Sequence, residues 1–356
     1  MKTIFLSFSI SNSSLTEYFL VTCNKLAKYY RVVVITDRLD AHPFDVSPEL
    51  IILKWPSARP TTLKAFWFLV RMILKYRPAT MIAMFGSMNV FILAGWLMRV
   101  RNRVAWNRSI YAKTAADARR DKRKSIIYKM ATHVFANSNA TRRDMLDHFS
   151  VPDKKITVMY NAVRNVPHDI VPNPKQVVFV GRFHPLKGLD TLLAALPRVI
   201  AEMPDVKLVL VGAKSDGQLA ESYRVKARGL GVLGHIEFAG VKSKQEITQI
   251  LAASACCVVP SFLEAFGFVV IESFSVRTPV VGSDSSGIAE VIRDGHDGLL
   301  FPPGDSEALA GQLIKMLSDH AFRDACASSC HDRFSTVFEL EKVTDGVVAE
   351  LQKITA

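Results

Sequence analysis

Val177-Val-Phe-Val-Gly181-Arg182-Phe-His-Pro-Leu-Lys187-Gly188 runs from four apolar residues through a glycine to two cations five positions apart. A short run of β-branched and aromatic residues with no polar alternation reads as a strand buried on both faces, which points to a parallel sheet covered by helices. Gly181 ends the strand, so Arg182 and Lys187 arrive at its carboxyl end, the edge at which open α/β sheets bind ligands. Arg182 can fork onto a phosphate through two N–H groups, and Lys187 supplies a mobile point charge. Together they can neutralise a diphosphate and stabilise it as a leaving group. Standing alone, the segment reads equally well as a solvated loop with two ordinary cations.

Outward from it, apolar runs of strand length alternate with helix-length amphipathic stretches over the whole chain, the pattern of repeated βαβ units. The expected strands are Thr3–Ser9, Val32–Thr36, Ile51–Lys54, Thr80–Met84, Arg103–Trp106, His133–Ala136 and Ile156–Tyr160, then Val177–Val180, Lys207–Val211, His235–Phe238, Ala255–Val259 and Pro279–Gly282. Residues 165–176 hold three prolines and no periodicity, so they read as an extended connector. At 356 residues the chain exceeds what one core supports. The fold class expected is α/β, as two Rossmann-like parallel-sheet domains at 1–168 and 169–335. An amphipathic helix at 336–356 would return to the first domain.

Composition narrows the partners. Residues 1–170 carry 27 Lys and Arg against 11 Asp and Glu, a net +16, whereas the remainder carries 18 against 22, a net −4. A basic first half suits an anionic surface or substrate. No nucleic-acid recognition motif accompanies it, so nucleic acid is not expected. Five cysteines without a Cys-x-x-Cys pattern, two of them adjacent at Cys256 and Cys257, read as buried thiols of a reduced compartment. Lys2–Ile10 reads as a first strand rather than a leader, because polar Ser11–Ser14 follow. Thr80–Met98 approaches membrane-spanning length, but Gly86, Ser87 and Asn89 interrupt it where a strand would turn into a helix. The location expected is cytoplasmic.

Pro260-Ser-Phe-Leu-Glu264-Ala265-Phe266-Gly267-Phe268-Val-Val-Ile-Glu272 sets two glutamates across a loop and the helix after it. Glu264 would lie on the loop and Glu272 about one turn inside the helix. Gly267 lets backbone come close to a ligand, and the free N–H groups of a first helical turn favour phosphate. Carboxylates there suit hydroxyls, with Glu264 toward a sugar and Glu272 toward a ribose. By itself such spacing is commonplace. Thr278-Pro-Val-Val-Gly-Ser-Asp-Ser285-Ser286-Gly287-Ile-Ala-Glu290 and Asp297-Gly298-Leu-Leu-Phe-Pro-Pro303-Gly304-Asp305 follow it, the second read as another small-residue loop at the same sheet edge.

In that order and approximate spacing, residues 177–310 resemble the donor domain of glycosyltransferase family 4. The resemblance implies a GT-B fold, whose two domains face a cleft, and transfer of a sugar from a UDP- or GDP-linked donor with retained configuration. It further implies that Arg182 and Lys187 contact the diphosphate, Glu264 the donor sugar and Glu272 the ribose. Arg182, Lys187 and Glu264 are thus the candidate catalytic residues. The backbone at Gly181 and Ala265–Phe268 would approach sugar and phosphate, and Val241 would border the base. Ala265 and Ser286 stand where the family usually has glycine. No Asp-x-Asp occurs, so no metal and no cofactor beyond the co-substrate is expected. A pyridoxal-phosphate phosphorylase, which shares the architecture, lacks a recognisable lysine motif here.

The first half resembles the family less closely, through Val134-Phe-Ala-Asn137-Ser138-Asn-Ala-Thr141 and Tyr160-Asn161-Ala162-Val163, where Ala162 replaces a glycine. Paired glycines of the family's first loop give way to Ser11-Asn12-Ser13-Ser14, leaving Ser13 and Ser14 as candidate phosphate contacts. The family's histidine after the strand ending near residue 106 is absent, and Asn107 or Arg108 is the candidate replacement toward the sugar. Eleven cations lie between Arg99 and Lys129, and Leu63–Arg77 mixes aromatics with cations at helical spacing. That combination suits an interfacial helix on an anionic leaflet, and equally a core helix with solvated ends. The expected partners are a nucleotide-sugar donor, a glycan or lipid-linked acceptor of cell-envelope polysaccharide synthesis, and an anionic membrane face. The competing functions are a sugar-nucleotide epimerase or hydrolase, and a catalytically weak nucleotide-sugar-binding protein.

Overall fold

Seven parallel strands build the first sheet: β1 (Thr3–Ser7), β2 (Arg31–Thr36), β3 (Ile51–Lys54), β4 (Pro78–Met84), β5 (Asn102–Asn107), β6 (His133–Ala136) and β7 (Ile156–Val158). Their spatial order is β3-β2-β1-β4-β5-β6-β7. Between them run α1 (Ser14–Ala27), α2 (Leu63–Tyr76), α3 (Met88–Leu97), α4 (Ala118–Met130) and α5 (Asn139–Phe149). The computed structural model describes residues 1–58, 60–111, 118–212 and 217–356, and the side chains of 118–120 lie outside what it describes.

Alternation along each strand splits this sheet's core in two. Phe5, Val33, Met81 and Ala105 face α2 to α5, while Ile4, Leu6, Val34, Ile82, Val104 and Trp106 face the opposite layer with α1. Burying each large side chain contributes about 1.5–3 kcal/mol. Thr80–Met98 divides as read, into strand β4, a tight turn and the ten-residue α3. Among the described residues no helix is long and apolar enough to cross a membrane.

The second sheet holds β8 (Asn173–Val180), β9 (Lys207–Val211), β10 (Ile236–Gly240), β11 (Ser254–Val259), β12 (Val280–Ser283) and β13 (Gly298–Phe301), all parallel, in the order β10-β9-β8-β11-β12-β13. Helices α6 (Leu189–Glu202), α7 (Gln218–Gly229), α8 (Lys244–Ala252), α9 (Phe268–Ser275), α10 (Ile288–Val291), α11 (Ser306–Ser318) and α12 (His320–Arg333) cover it. Two expectations need correcting. The connector is shorter than 165–176, because β8 begins at Asn173, whose N–H donates to Ala253 O. Asp297–Asp305 is not all loop: Gly298–Phe301 is β13, paired along β12. Gly298 is required there, since a Cβ would fall 2.1 Å from Val280 O.

The chain divides into two compact units, Met1–Ala162 with Leu340–Ala356, and Val163–Glu339. The divide falls ahead of the proline-rich stretch, because Val163 bridges to Glu339 and its N–H donates to Phe338 O. The last helix, α13 (Leu340–Thr355), packs on α1. Lys25 Nζ holds Asp345 Oδ1 at 2.7 Å and Glu341 Oε2 at 2.9 Å, and buried Thr80 Oγ1 meets Thr355 Oγ1 at 2.8 Å. All five cysteines are buried free thiols.

Candidate active site

In the second sheet the chain winds from β8 out to β9 and β10, then returns to add β11, β12 and β13 on the other side. The order reverses between β8 and β11, and the crevice outside the carboxyl ends of such a pair is where open α/β sheets take ligands. Arg182 and Lys187 follow β8, and Glu264 follows β11. Lys187 and Glu264, 77 positions apart, meet there as an ion pair between Nζ and Oε2, with 27% and 21% of their side chains exposed.

Backbone packing fixes the pair. Pro185–Lys187 form a 3-10 turn opened by His184, whose Nδ1 accepts from Leu186 N at 3.2 Å. Gly188 ends that turn at φ +69°, and a Cβ there would sit 1.9 Å from Pro260 O, so only glycine lets the lysine turn lie on the end of β11. Phe262 N donates to Leu186 O at 2.9 Å, joining the two loops. On the far side, Ser283 Oγ and Ser285 Oγ both donate to Ser261 O, at 2.5 and 2.9 Å, and Gly287 N donates to Glu264 O at 2.9 Å. These buried hydroxyls were not singled out from the sequence. Their signal was the small-residue turn 282–287, which reads as a loop until β11 and β12 are known to be neighbours.

Arg182, immediately after Gly181, is exposed and forms no ion pair among the described residues. Gly181 N donates to Val211 O at 3.0 Å. Phe266 is buried, with its ring edge-on to Phe338 at 5.8 Å and to Phe268 at 6.5 Å. Gly267, at φ +90°, caps α9 after Ala265 and Phe266. Glu272 is half-buried one turn inside α9, near the Cys257 thiol, which burial foremost pushes up, with Cys256 and Glu272 adding to it. Val241 lies beyond β10, the outermost strand, and is 78% exposed. Ser286 holds a left-handed φ of +42°, whereas Ala265 does not.

The remaining candidates belong to the first unit. Ser13 caps α1, its Oγ accepting from Thr16 N at 3.3 Å, and Ser14 is buried at the start of that helix. Asn107 and Arg108, read as alternatives for one role, both line one cavity where β5 ends. The Arg108 guanidinium is buried beside the rings of Phe19 (5.1 Å), Tyr18 and Trp106 (both 5.8 Å) and donates to Asn161 Oδ1. Burial pulls its pKa down to about 10, with Tyr18 opposing, so it stays a cation at neutral pH. Asn107 donates to Ser109 O at 3.1 Å and lines a cavity of about 260 Å³ on the α3 and α4 side, with Thr61, Phe85, Asn89, Lys124 and Tyr128. Part of the basic stretch, Lys113 and the side chains of Arg119 and Arg120, lies outside the described residues.

Residues 165–330 match the family model described as Glycosyl transferases group 1, and residues 16–164 match that of Glycosyltransferase Family 4. Back to back, the two matches take in both units, and the chain belongs to the family-4 glycosyltransferases. It is 37% identical over 152 residues to the phosphatidyl-myo-inositol mannosyltransferase of Mycobacterium leprae, covering 42% of this chain and 39% of that protein. It is 34% identical over 169 residues to LpsE of Rhizobium meliloti, a lipopolysaccharide core biosynthesis glycosyltransferase, covering 48% and 47%. These matches span about two-fifths to one-half of the relatives' lengths. Among solved structures, HepE of Anabaena in complex with UDP superposes with a TM-score of 0.79 at 21% identity, over 99% of this chain and 100% of that one. The latter likeness is one of GT-B fold.

Proposed function

We propose that the protein transfers a sugar, with retained anomeric configuration, from a UDP- or GDP-linked donor to an anionic or lipid-linked acceptor. The observation that carries this is the Lys187–Glu264 pair standing at the β8/β11 switch point, with Arg182 exposed beside it. Lys187 and Arg182 would take the diphosphate, Glu264 a hydroxyl of the donor sugar and Glu272 the ribose. In the step proposed, the bond from the anomeric carbon to the diphosphate breaks as the acceptor oxygen bonds that carbon on the same face. The acceptor proton passes to the departing diphosphate. Charge on that leaving group is met by the two side-chain cations and the backbone N–H groups opening α9, so the reaction needs no metal. HepE, solved with UDP and with UDP-glucose, supports a uridine nucleotide among the donors to try first.

The first unit would hold the acceptor. Its attachment to an anionic leaflet is supported by α2, where Leu63, Trp67 and Leu74 are 79%, 62% and 60% exposed on one stripe with Arg71, flanked by exposed Lys64 and Lys75. A panel of nucleotide sugars scored by thermal shift and by nucleotide release tests the main reading. Transfer predicts release only with an acceptor present. Conversion of donor without acceptor would make the protein an epimerase or hydrolase, and affinity without release under every acceptor would make it a binding protein.

A further inference from the structure

The first sheet has its own switch point, between β1 and β4, where the strand order reverses. Phe85 is the first residue after β4, and two features of it are unfavourable to the fold. Its φ is +51°, a region disfavoured for a bulky side chain, and the residue is 54% exposed. An outlier of this kind at a sheet's ligand-binding edge points to function. Gly86 beside it has open space where a Cβ would be, so a ligand can approach the backbone there.

Phe85 and Gly86 form the shared wall of two recesses. On one side is the cavity of about 260 Å³, whose polar lining includes Asn89, Asn107, Arg108 and Lys124. On the other is a recess of about 50 Å³, where Ser9 Oγ donates to Asp37 Oδ1 at 2.6 Å. Lys124 is placed by the rings of Tyr111 and Phe149, 5.2 and 5.5 Å from its Nζ. The two recesses thus offer a carboxylate on one side of Phe85, and amide, guanidinium and ammonium groups on the other. The C–H face of a pyranose or cyclitol stacks on an aromatic ring, its hydroxyls suit carboxylate and amide, and a phosphate or carboxylate substituent suits the ammonium.

We propose that Phe85 is the platform on which the acceptor ring stacks, with Asp37 accepting from an acceptor hydroxyl and Lys124 holding an anionic substituent. The acceptor is accordingly an anionic monosaccharide or cyclitol unit. This rests on the transferase reading above, and the test is made without donor so that the two can fail separately. Glucose 6-phosphate, glucuronate and glucose serve as probes, titrated calorimetrically into the parent, Phe85→Tyr, Phe85→Gly and Lys124→Gln proteins. The expected result is that the parent binds the two anionic probes about tenfold more tightly than glucose, and that Phe85→Tyr matches it. Phe85→Gly should bind every probe about tenfold more weakly while melting at or above the parental temperature, because glycine relieves the left-handed strain. Lys124→Gln should reduce the preference for anions severalfold, Arg108 remaining in the cavity, and leave glucose binding unchanged. A parent that binds none of the probes overturns the proposal, as does parental binding by Phe85→Gly, or a loss there that tracks a lower melting temperature. If neither UDP nor GDP binds the parent, the transferase reading falls, whereas a Phe85-dependent sugar site stands or falls on the probes.

Discussion

Lys187→Ala removes an ammonium from the β8/β11 crevice while the backbone goes on holding Glu264, through Gly287 N and the serine hydroxyls on Ser261 O. Two magnitudes then separate. For stability, an ion pair whose side chains are 27% and 21% exposed is close to the surface class, worth about 1 kcal/mol. In a unit of this size that is ~2–4 °C of melting temperature. For transfer, removing one preorganised charge that faces a leaving group costs on the order of 10²–10³-fold in kcat, or ~2.7–4 kcal/mol. The assay is nucleotide release at saturating donor and acceptor, alongside thermal melts of Lys187→Ala, Glu264→Ala and the double variant. The double variant should release nucleotide no faster than Lys187→Ala, since Glu264 has no phosphate to stabilise. The reasoning is refuted if Lys187→Ala turns over within about threefold of the parent, or if its rate loss appears only above a melting temperature lowered well beyond that range.

Ser286→Gly should raise the melting temperature by ~2 °C, because a serine at φ +42° becomes a residue that adopts it freely; a lower value contradicts the strain. Gly298→Ala should destabilise the second unit by ~1–3 kcal/mol, read by urea melts, as a Cβ 2.1 Å from Val280 O forces β13 off β12; an unchanged midpoint would show that the edge strand yields at no cost. Transfer should persist in excess chelator, and loss of activity restored by magnesium or manganese would overturn the metal-free reading. Reversing Lys64, Arg71 and Lys75 to glutamate should weaken binding to phosphatidylserine vesicles by roughly 1 kcal/mol per charge at low salt, measured by sedimentation; parental binding at low and high salt alike would make α2 an ordinary solvated helix.

The strands were legible because a parallel sheet buried on both faces demands unalternating apolar runs, such as Val32–Thr36 and Ala255–Val259, and few other elements use them. β13 escaped because it is four residues long, starts with glycine and runs into Pro302 and Pro303, all loop signals; the need for Gly298 arises from Val280, eighteen positions earlier. Lys187 and Glu264 could each be placed at the sheet edge from local order. That they touch depends on β8 lying next to β11, which is topology rather than pattern. That Asn107 and Arg108 line one cavity depends on β5 ending at Asn107, since alternation holds only within the strand. Phe85 left no trace in the sequence, since a left-handed backbone at a phenylalanine has no compositional signal.

The two switch points are built differently, and the difference follows from what each would have to do. In the second unit the crevice is tied down by the Ser283 and Ser285 hydroxyls on Ser261 O, by Gly287 N on Glu264 O, and by Gly188 packed on Pro260. Charge stabilisation of a leaving group depends on donors that need not reorganise during the reaction, so a crevice fixed by buried backbone contacts suits the proposed donor. In the first unit the crevice offers an exposed phenylalanine, an open glycine and polar groups in the recesses on either side. Such a surface would select a ring by its face and its charge while leaving the rest of the molecule unconstrained. That is the selectivity the proposed acceptor site would need when only one hydroxyl of a larger glycan or lipid headgroup must be presented, and it would place the tighter tolerance on the side proposed to hold the nucleotide.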